Sequence, residues 1–220
     1  MMSQPPTRAD LRLENALVTW NGSTDPEQLQ YGQILSTEGW LLRQLARAVP
    51  ADRVIVEIGS YTGKSTCCLA RGSAEGNRAP VFAVDLWTEG KSRRGRFRAR
   101  LPDELPGSSK FHRPEVLEIF RRRMDAFGFA DLVYPIMGES RAVAADFRHS
   151  VGLLFIDAEH TYEACRADFE AWAPRLDGGV VALHDYKGEG LGGIKRYVDE
   201  LVAAGPWQIR TLVGSLVVLE

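Results

Sequence analysis

Five short apolar runs, each closing in a turn, constrain this chain more than any other feature. They are Arg53–Ile58 (RVIVEI), Pro80–Asp85 (PVFAVD), Leu132–Met137, Gly152–Asp157 (GLLFID) and Gly179–His184. Short apolar runs bounded by turn signals are the mark of strands buried on both faces. Between them the spacing turns helical: Lys64 to Arg71, Pro114 to Phe127 through Val116, Leu117, Phe120 and Met124, Thr161 to Ala173 ahead of Pro174, and Ile194 to Ala203. Strand alternating with helix predicts an α/β fold with a doubly wound, mostly parallel sheet. Right-handed crossovers then place its ligand site at the carboxyl ends of the central strands.

Two segments lie outside that alternation. Residues 208–212 and 215–219 flank Val213-Gly214 like a closing antiparallel hairpin, which brings the sheet to seven strands. Residues 1–50 read as an N-terminal arm, punctuated by Pro5-Pro6 and Asn21-Gly22, and then cap helices. Thr24-Asp25-Pro26-Glu27 is one helix start and Ser36-Thr37-Glu38 a second. From the second, Trp40, Leu41, Leu42, Leu45, Ala46 and Val49 form an apolar face up to Pro50. These helices are expected to cap the pocket and could build a homodimer interface. The 220 residues suit a single domain over 1–220. A net charge of −2 argues against nucleic acid as the main partner. Three cysteines, a polar start without a signal-peptide run and the lack of a long apolar stretch fit a cytoplasmic protein that does not enter membranes.

The first run feeds straight into Gly59-Ser60-Tyr61-Thr62-Gly63 and then Lys64-Ser65. A glycine turn between strand and helix lets a ligand approach bare backbone. A phosphate loop needs four residues between its glycine and Gly-Lys-Ser, whereas Gly59 and Gly63 enclose three. A nucleoside-triphosphate-binding protein using Gly59–Ser65 is therefore the rival enzyme reading. A dinucleotide fingerprint fails at the second glycine.

The pattern Glu57-x-Gly59-x-x-x-Gly63 resembles the first motif of class I, Rossmann-like methyltransferases that use S-adenosylmethionine. The resemblance implies that Glu57, Gly59, Ser60, Tyr61, Gly63 and Ser65 receive the zwitterionic amino-acid end of that cofactor. Asp85, closing the second strand, would accept the ribose hydroxyls, and Trp87 would pack on the adenine. Gly138 and Ser140, after the third strand, would enclose the ring. A protein that keeps the fold and binds the cofactor without catalysis is the rival from outside the enzymes.

A second constellation sits at the next two strand ends. Neighbouring strands lie about 4.8 Å apart, so Asp157 and His184-Asp185 are delivered to one spot above the sheet. Asp, His and Asp make a reasonable oxygen and nitrogen site for a divalent cation. His160 is expected at the start of the following helix, pointing to the same cavity. Asp157-x-x-His160-x-Tyr162, an acidic helix, Gly-Gly and a strand ending in His184-Asp185-Tyr186 resemble the metal-dependent small-molecule O-methyltransferases. The nearest branch in that resemblance acts on natural-product sugars and includes cephalosporin-hydroxylase-like proteins. It implies Asp157 and Asp185 as magnesium or manganese ligands, His160 as general base, and catalytic roles for His160 and Asp157. His184 departs from the family's acidic pair. Imidazole favours manganese, iron or zinc over magnesium, or His184 and Asp185 only shape the pocket.

The resemblance implies transfer of a methyl group to a hydroxyl of a small molecule. Lys91–Arg100 (KSRRGRFRAR) holds six basic residues and no acidic one, and Lys110, His112 and Arg113 extend it. This insertion, 88–113, reads either as a solvated loop or as a lid that recognises an anionic acceptor. Arg121-Arg122-Arg123 is expected on an exposed helix face.

Overall fold

A computed structural model describes residues 5–12, 34–87, 113–187 and 192–220. The helix start at Thr24 and the basic insertion fall outside them, apart from the backbone of Arg113.

Seven strands form one sheet in the order β3-β2-β1-β4-β5-β7-β6. They are β1 (Val54–Ile58), β2 (Val81–Asp85), β3 (Val133–Met137), β4 (Val151–Ile156), β5 (Leu176–Leu183), β6 (Ile209–Val213) and β7 (Leu216–Leu219). The first five are parallel, and β7 runs antiparallel to both β5 and β6. The fold is thus the expected seven-stranded, Rossmann-like sheet of class I methyltransferases. Its strand order reverses between β1 and β4, the switch point at which such sheets leave a crevice.

The helices are α1 (Ser36–Arg47), α2 (Lys64–Glu75), α3 (Arg113–Ala126), α4 (Ser140–Asp146), α5 (Tyr162–Trp172) and α6 (Gly192–Ala204). Successive residues of a strand point to opposite faces, and β4 shows the result. Leu153 and Phe155 join the core that holds Leu42, Cys67, Leu69 and Phe120 from α1, α2 and α3. Leu154 and Ile156 join the core that holds Ala144, Cys165, Phe169, Trp172 and Val198 from α4, α5 and α6. All three cysteines are buried thiols, Cys67 and Cys68 in the first core and Cys165 in the second. No helix among the described residues is long and apolar enough to cross a membrane.

Helix α1 buries Trp40, Leu41, Leu42, Leu45 and Ala46, and ends three residues before Pro50. Arg43 holds it on α2 through a bidentate ion pair with Glu75, at 2.7 and 3.0 Å. Helix α4 has no counterpart in the sequence reading, because seven residues span too few turns for a period to show.

The structure corrects one expectation on α3. Arg121 and Arg122 are exposed, but Arg123 is fully buried, one turn on from Phe120 and beside Met124. Three consecutive helical positions sweep about 200° around the axis, so such a run cannot keep to one face. Burial lowers the Arg123 guanidinium to about 10, partly offset by Cys67 and Cys68.

Candidate active site

Glu57 is the fourth residue of β1 and is completely buried. Both its oxygens accept hydroxyl hydrogen bonds from α2, one from Ser65 and one from Thr66. Burial pushes its carboxyl up to about 7; the Ser65, Thr66 and Ser60 hydroxyls pull the other way, and nearby Asp157 adds to the rise.

The turn that follows requires its glycine. Gly59 has φ +88°, and a β-carbon there would lie 2.3 Å from the main-chain oxygen of Asp157. Tyr61 is also left-handed, at φ +45°. Two bonds staple it to the end of β2: its amide donates to Asp85 Oδ2 at 2.9 Å, and its carbonyl accepts from Trp87 Nε1 at 2.9 Å. Asp85 Oδ1 takes the Trp87 amide at 3.0 Å. Ser60 and Thr62 are buried in the same turn, and Thr62 Oγ1 has no hydrogen-bond partner among the described residues.

Two side chains expected around the adenine are taken up by packing. The Trp87 indole is buried against Phe120, with ring centres 5.0 Å apart. Ser140 Oγ accepts from Trp172 Nε1 at 2.9 Å. Gly138 directly follows β3 and donates its amide to the Asp85 carbonyl at 3.0 Å. The apolar groups that stand open at the carboxyl ends of β1, β2 and β3 are instead Tyr61, Leu86 and Met137, about half exposed. The sequence reading passed over Leu86 and Met137. Their signal is positional: each lies at a strand end, next to an expected site residue.

Asp157 follows β4, and His184 and Asp185 follow β5, which pairs with β4 in parallel register at Ile156–Leu183. The three offer donor atoms within 4.8 Å of one another. His184 Nδ1 lies 3.3 Å from Asp157 Oδ1 and 3.5 Å from Asp185 Oδ1. Its Nε2 lies 3.1 Å from Glu38 Oε2 and 3.2 Å from Ser215 Oγ. Burial opposes a charge on this ring, but Asp157, Asp185 and Glu38 outweigh it and raise His184 to about 12. His160 Nδ1 lies 3.1 Å from Asp185 Oδ2. It sits in the loop rather than at the helix start, because Thr161 caps α5 by accepting the Ala164 amide at 3.2 Å.

Glu38 and Ser215 are two further residues that sequence reasoning missed. Glu38 was legible only as part of a helix start. Its carboxylate accepts from the Leu35 amide at 2.8 Å and from the Ser215 amide and hydroxyl at 2.7 and 3.0 Å.

The model of a methyltransferase domain family matches residues 56–186, from the middle of β1 to just past Asp185. The chain belongs to that family. An uncharacterized protein, y4gI, of Sinorhizobium fredii (strain NBRC 101917 / NGR234) is 31% identical over 170 residues; the match takes in 76% of this chain but only 16% of that protein's length. Among solved structures, the O-methyltransferase NovP superposes with a TM-score of 0.64 at 19% identity, over 94% of this chain and 96% of that one. The O-methyltransferase TomG from Streptomyces achromogenes, involved in tomaymycin synthesis and solved with S-adenosylmethionine, gives 0.61 at 17% identity, over 97% and 89%. An O-methyltransferase from Bacillus cereus in complex with S-adenosylhomocysteine gives 0.57 at 20% identity, over 97% and 90%. At these identities the likeness is one of fold.

Proposed function

We infer that this methyltransferase moves the methyl group of S-adenosylmethionine onto a hydroxyl of a small molecule, a sugar or another natural-product acceptor, with help from a divalent cation. The observation that carries the reading is the contact between the glycine turn and the end of β4, where Gly59 meets the Asp157 carbonyl. It supports the reading by setting the glycine turn directly beside a histidine and two carboxylates. The cradle has the parts an adenosine needs: Asp85 for ribose hydroxyls, and Tyr61, Leu86 and Met137 as apolar surface. The buried Thr62 hydroxyl and the turn's amides suit the carboxylate of the amino-acid end.

The donor set fits a cation on the chemistry of its members. Asp157 and Asp185 supply hard oxygens, and His184 turns one ring nitrogen to them while a carboxylate occupies the other. A divalent ion bound there would lower the pKa of an acceptor hydroxyl. Methyl transfer is an in-line displacement at an already activated sulfonium, so the protein's main tasks are alignment and exclusion of water. His160, held beside Asp185, is the group proposed to take the hydroxyl proton. Recognition of an anionic acceptor by Lys91–Arg113 is part of the same proposal.

Isothermal titration with S-adenosylhomocysteine, with and without manganese or magnesium, tests it. Micromolar binding with a metal-dependent heat is the expected result. No binding under any condition would overturn the cofactor assignment; binding indifferent to metal in a protein that takes up neither ion would overturn the metal's part.

A further inference from the structure

We propose that Glu38 is a positioning residue that fixes His184 as an Nδ1 donor, and that the cation site is thereby selective for manganese-like transition ions over magnesium. The inference rests on the metal-assisted reading above and adds to it a residue from α1 and a choice of ion.

An imidazole can present either nitrogen to an ion, and the hydrogen bond made by the other decides which. At His184 the two sides are unequal. The Nδ1 side meets Asp157 and Asp185, the carboxylates of the candidate site. The Nε2 side meets Glu38, which is 1% exposed and set apart from that cluster. Donation from Nε2–H to Glu38 leaves Nδ1 as the nitrogen whose proton an ion between Asp157 and Asp185 would displace, which would give a carboxylate–histidine–metal arrangement.

Glu38 is itself held from three directions. Its oxygens accept the Leu35 amide, the Ser215 amide and the Ser215 hydroxyl. Gly214 leaves the room: a β-carbon there would come within 2.4 Å of Glu38 Oε1. With three donors around it and a lone pair left for His184, the carboxylate meets Nε2 as an acceptor. A nitrogen in the donor set in turn favours manganese, iron, cobalt or zinc over magnesium, which prefers oxygen ligands and keeps its waters.

The test compares Mn2+ and Mg2+ binding to wild-type protein, Glu38→Gln and His184→Asn, with S-adenosylhomocysteine affinity measured on each. A glutamine amide can donate to Nε2, which forces the proton onto Nδ1 and blocks coordination. Glu38→Gln should therefore lose about 10- to 100-fold in Mn2+ affinity while its S-adenosylhomocysteine affinity stays near wild type. His184→Asn makes the donor set all oxygen and should erase the preference for Mn2+ over Mg2+. Nitrogen-15 NMR of histidine in the zinc-loaded wild type should show the metal on Nδ1 and the proton on Nε2 of His184, a readout that does not depend on how Glu38→Gln folds. Unchanged Mn2+ affinity in Glu38→Gln, unchanged selectivity in His184→Asn, or zinc on Nε2 would each overturn the inference and leave the metal reading standing. A wild-type protein that binds S-adenosylhomocysteine but no divalent ion would overturn both.

Discussion

The carbonyl oxygen of Asp157 lies so close to the α-carbon of Gly59 that only a hydrogen fits between the two strands' ends. The glycine turn and the metal-type cluster are therefore in direct backbone contact. A side chain at position 59 has to push the end of β4 away and also adopt φ +88°. Gly59→Ala should cost about 1–3 kcal/mol of stability and weaken S-adenosylhomocysteine binding by at least about tenfold. Thermal unfolding and titration calorimetry on the same preparation read both effects.

Asp85 both latches the turn and stands ready for a ribose. Asp85→Ala removes the acceptors for the Tyr61 and Trp87 amides together with the ribose partner. A hydrogen bond to a charged group contributes roughly 1.5–3 kcal/mol, so affinity for S-adenosylhomocysteine should fall by about 10- to 100-fold. Asp85→Asn keeps one acceptor and should fall between the two. Equal affinity in Asp85→Ala and wild type would remove Asp85 from the cofactor site.

Glu57 makes a pH prediction. Its folded pKa is raised from the ordinary 4.5 to about 7. Between those values the folded protein keeps a proton that the unfolded chain has released, so this group's contribution to stability declines as pH rises and levels off above about 7. The decline is on the order of 3 kcal/mol. Glu57→Gln cannot titrate and should gain on the wild type, step by step, from pH 5 to pH 8 in urea unfolding of ligand-free protein. Parallel curves for the two proteins would show that Glu57 is already ionised at pH 5.

Asp157→Ala separates cofactor from metal. Its side chain points to His184, whereas the contact with Gly59 is made by its backbone. Affinity for S-adenosylhomocysteine should stay within about threefold of wild type while Mn2+ affinity drops by at least about 100-fold. Turnover on any accepted hydroxyl should fall with it. Retained Mn2+ binding would take Asp157 out of the ligand set.

Much of this was legible in the sequence, for identifiable reasons. The five apolar runs became β1 to β5; β1 and β4 are buried along their whole length, as unbroken apolar runs require, whereas β3, at the edge of the sheet, leaves Tyr134 and Met137 about half exposed. Asp157, His184 and Asp185 came together because parallel neighbours deliver their ends to one place. Less legible were contacts made across long stretches of chain. Nothing in Ser36-Thr37-Glu38 announces that Glu38 will meet His184, 146 residues away. Trp87 sits where an adenine-packing residue was expected, but its left-handed backbone, at φ +35°, turns the indole into the core. Leu86, one residue earlier, is left facing outward.

The burial of the three thiols gives the protein a built-in pair of reporters. Burial raises Cys67 and Cys165 to about 12, so neither forms much thiolate while the fold is closed. An alkylating reagent can reach them only when the layer above them lifts. Cys67 lies under α1 and α3 on one side of the sheet, and Cys165 lies with α4 and α6 on the other. Timed alkylation followed by peptide mass analysis would thus record how often each side breathes, separately and without a label. It would also reveal whether a bound cofactor quiets one side or both.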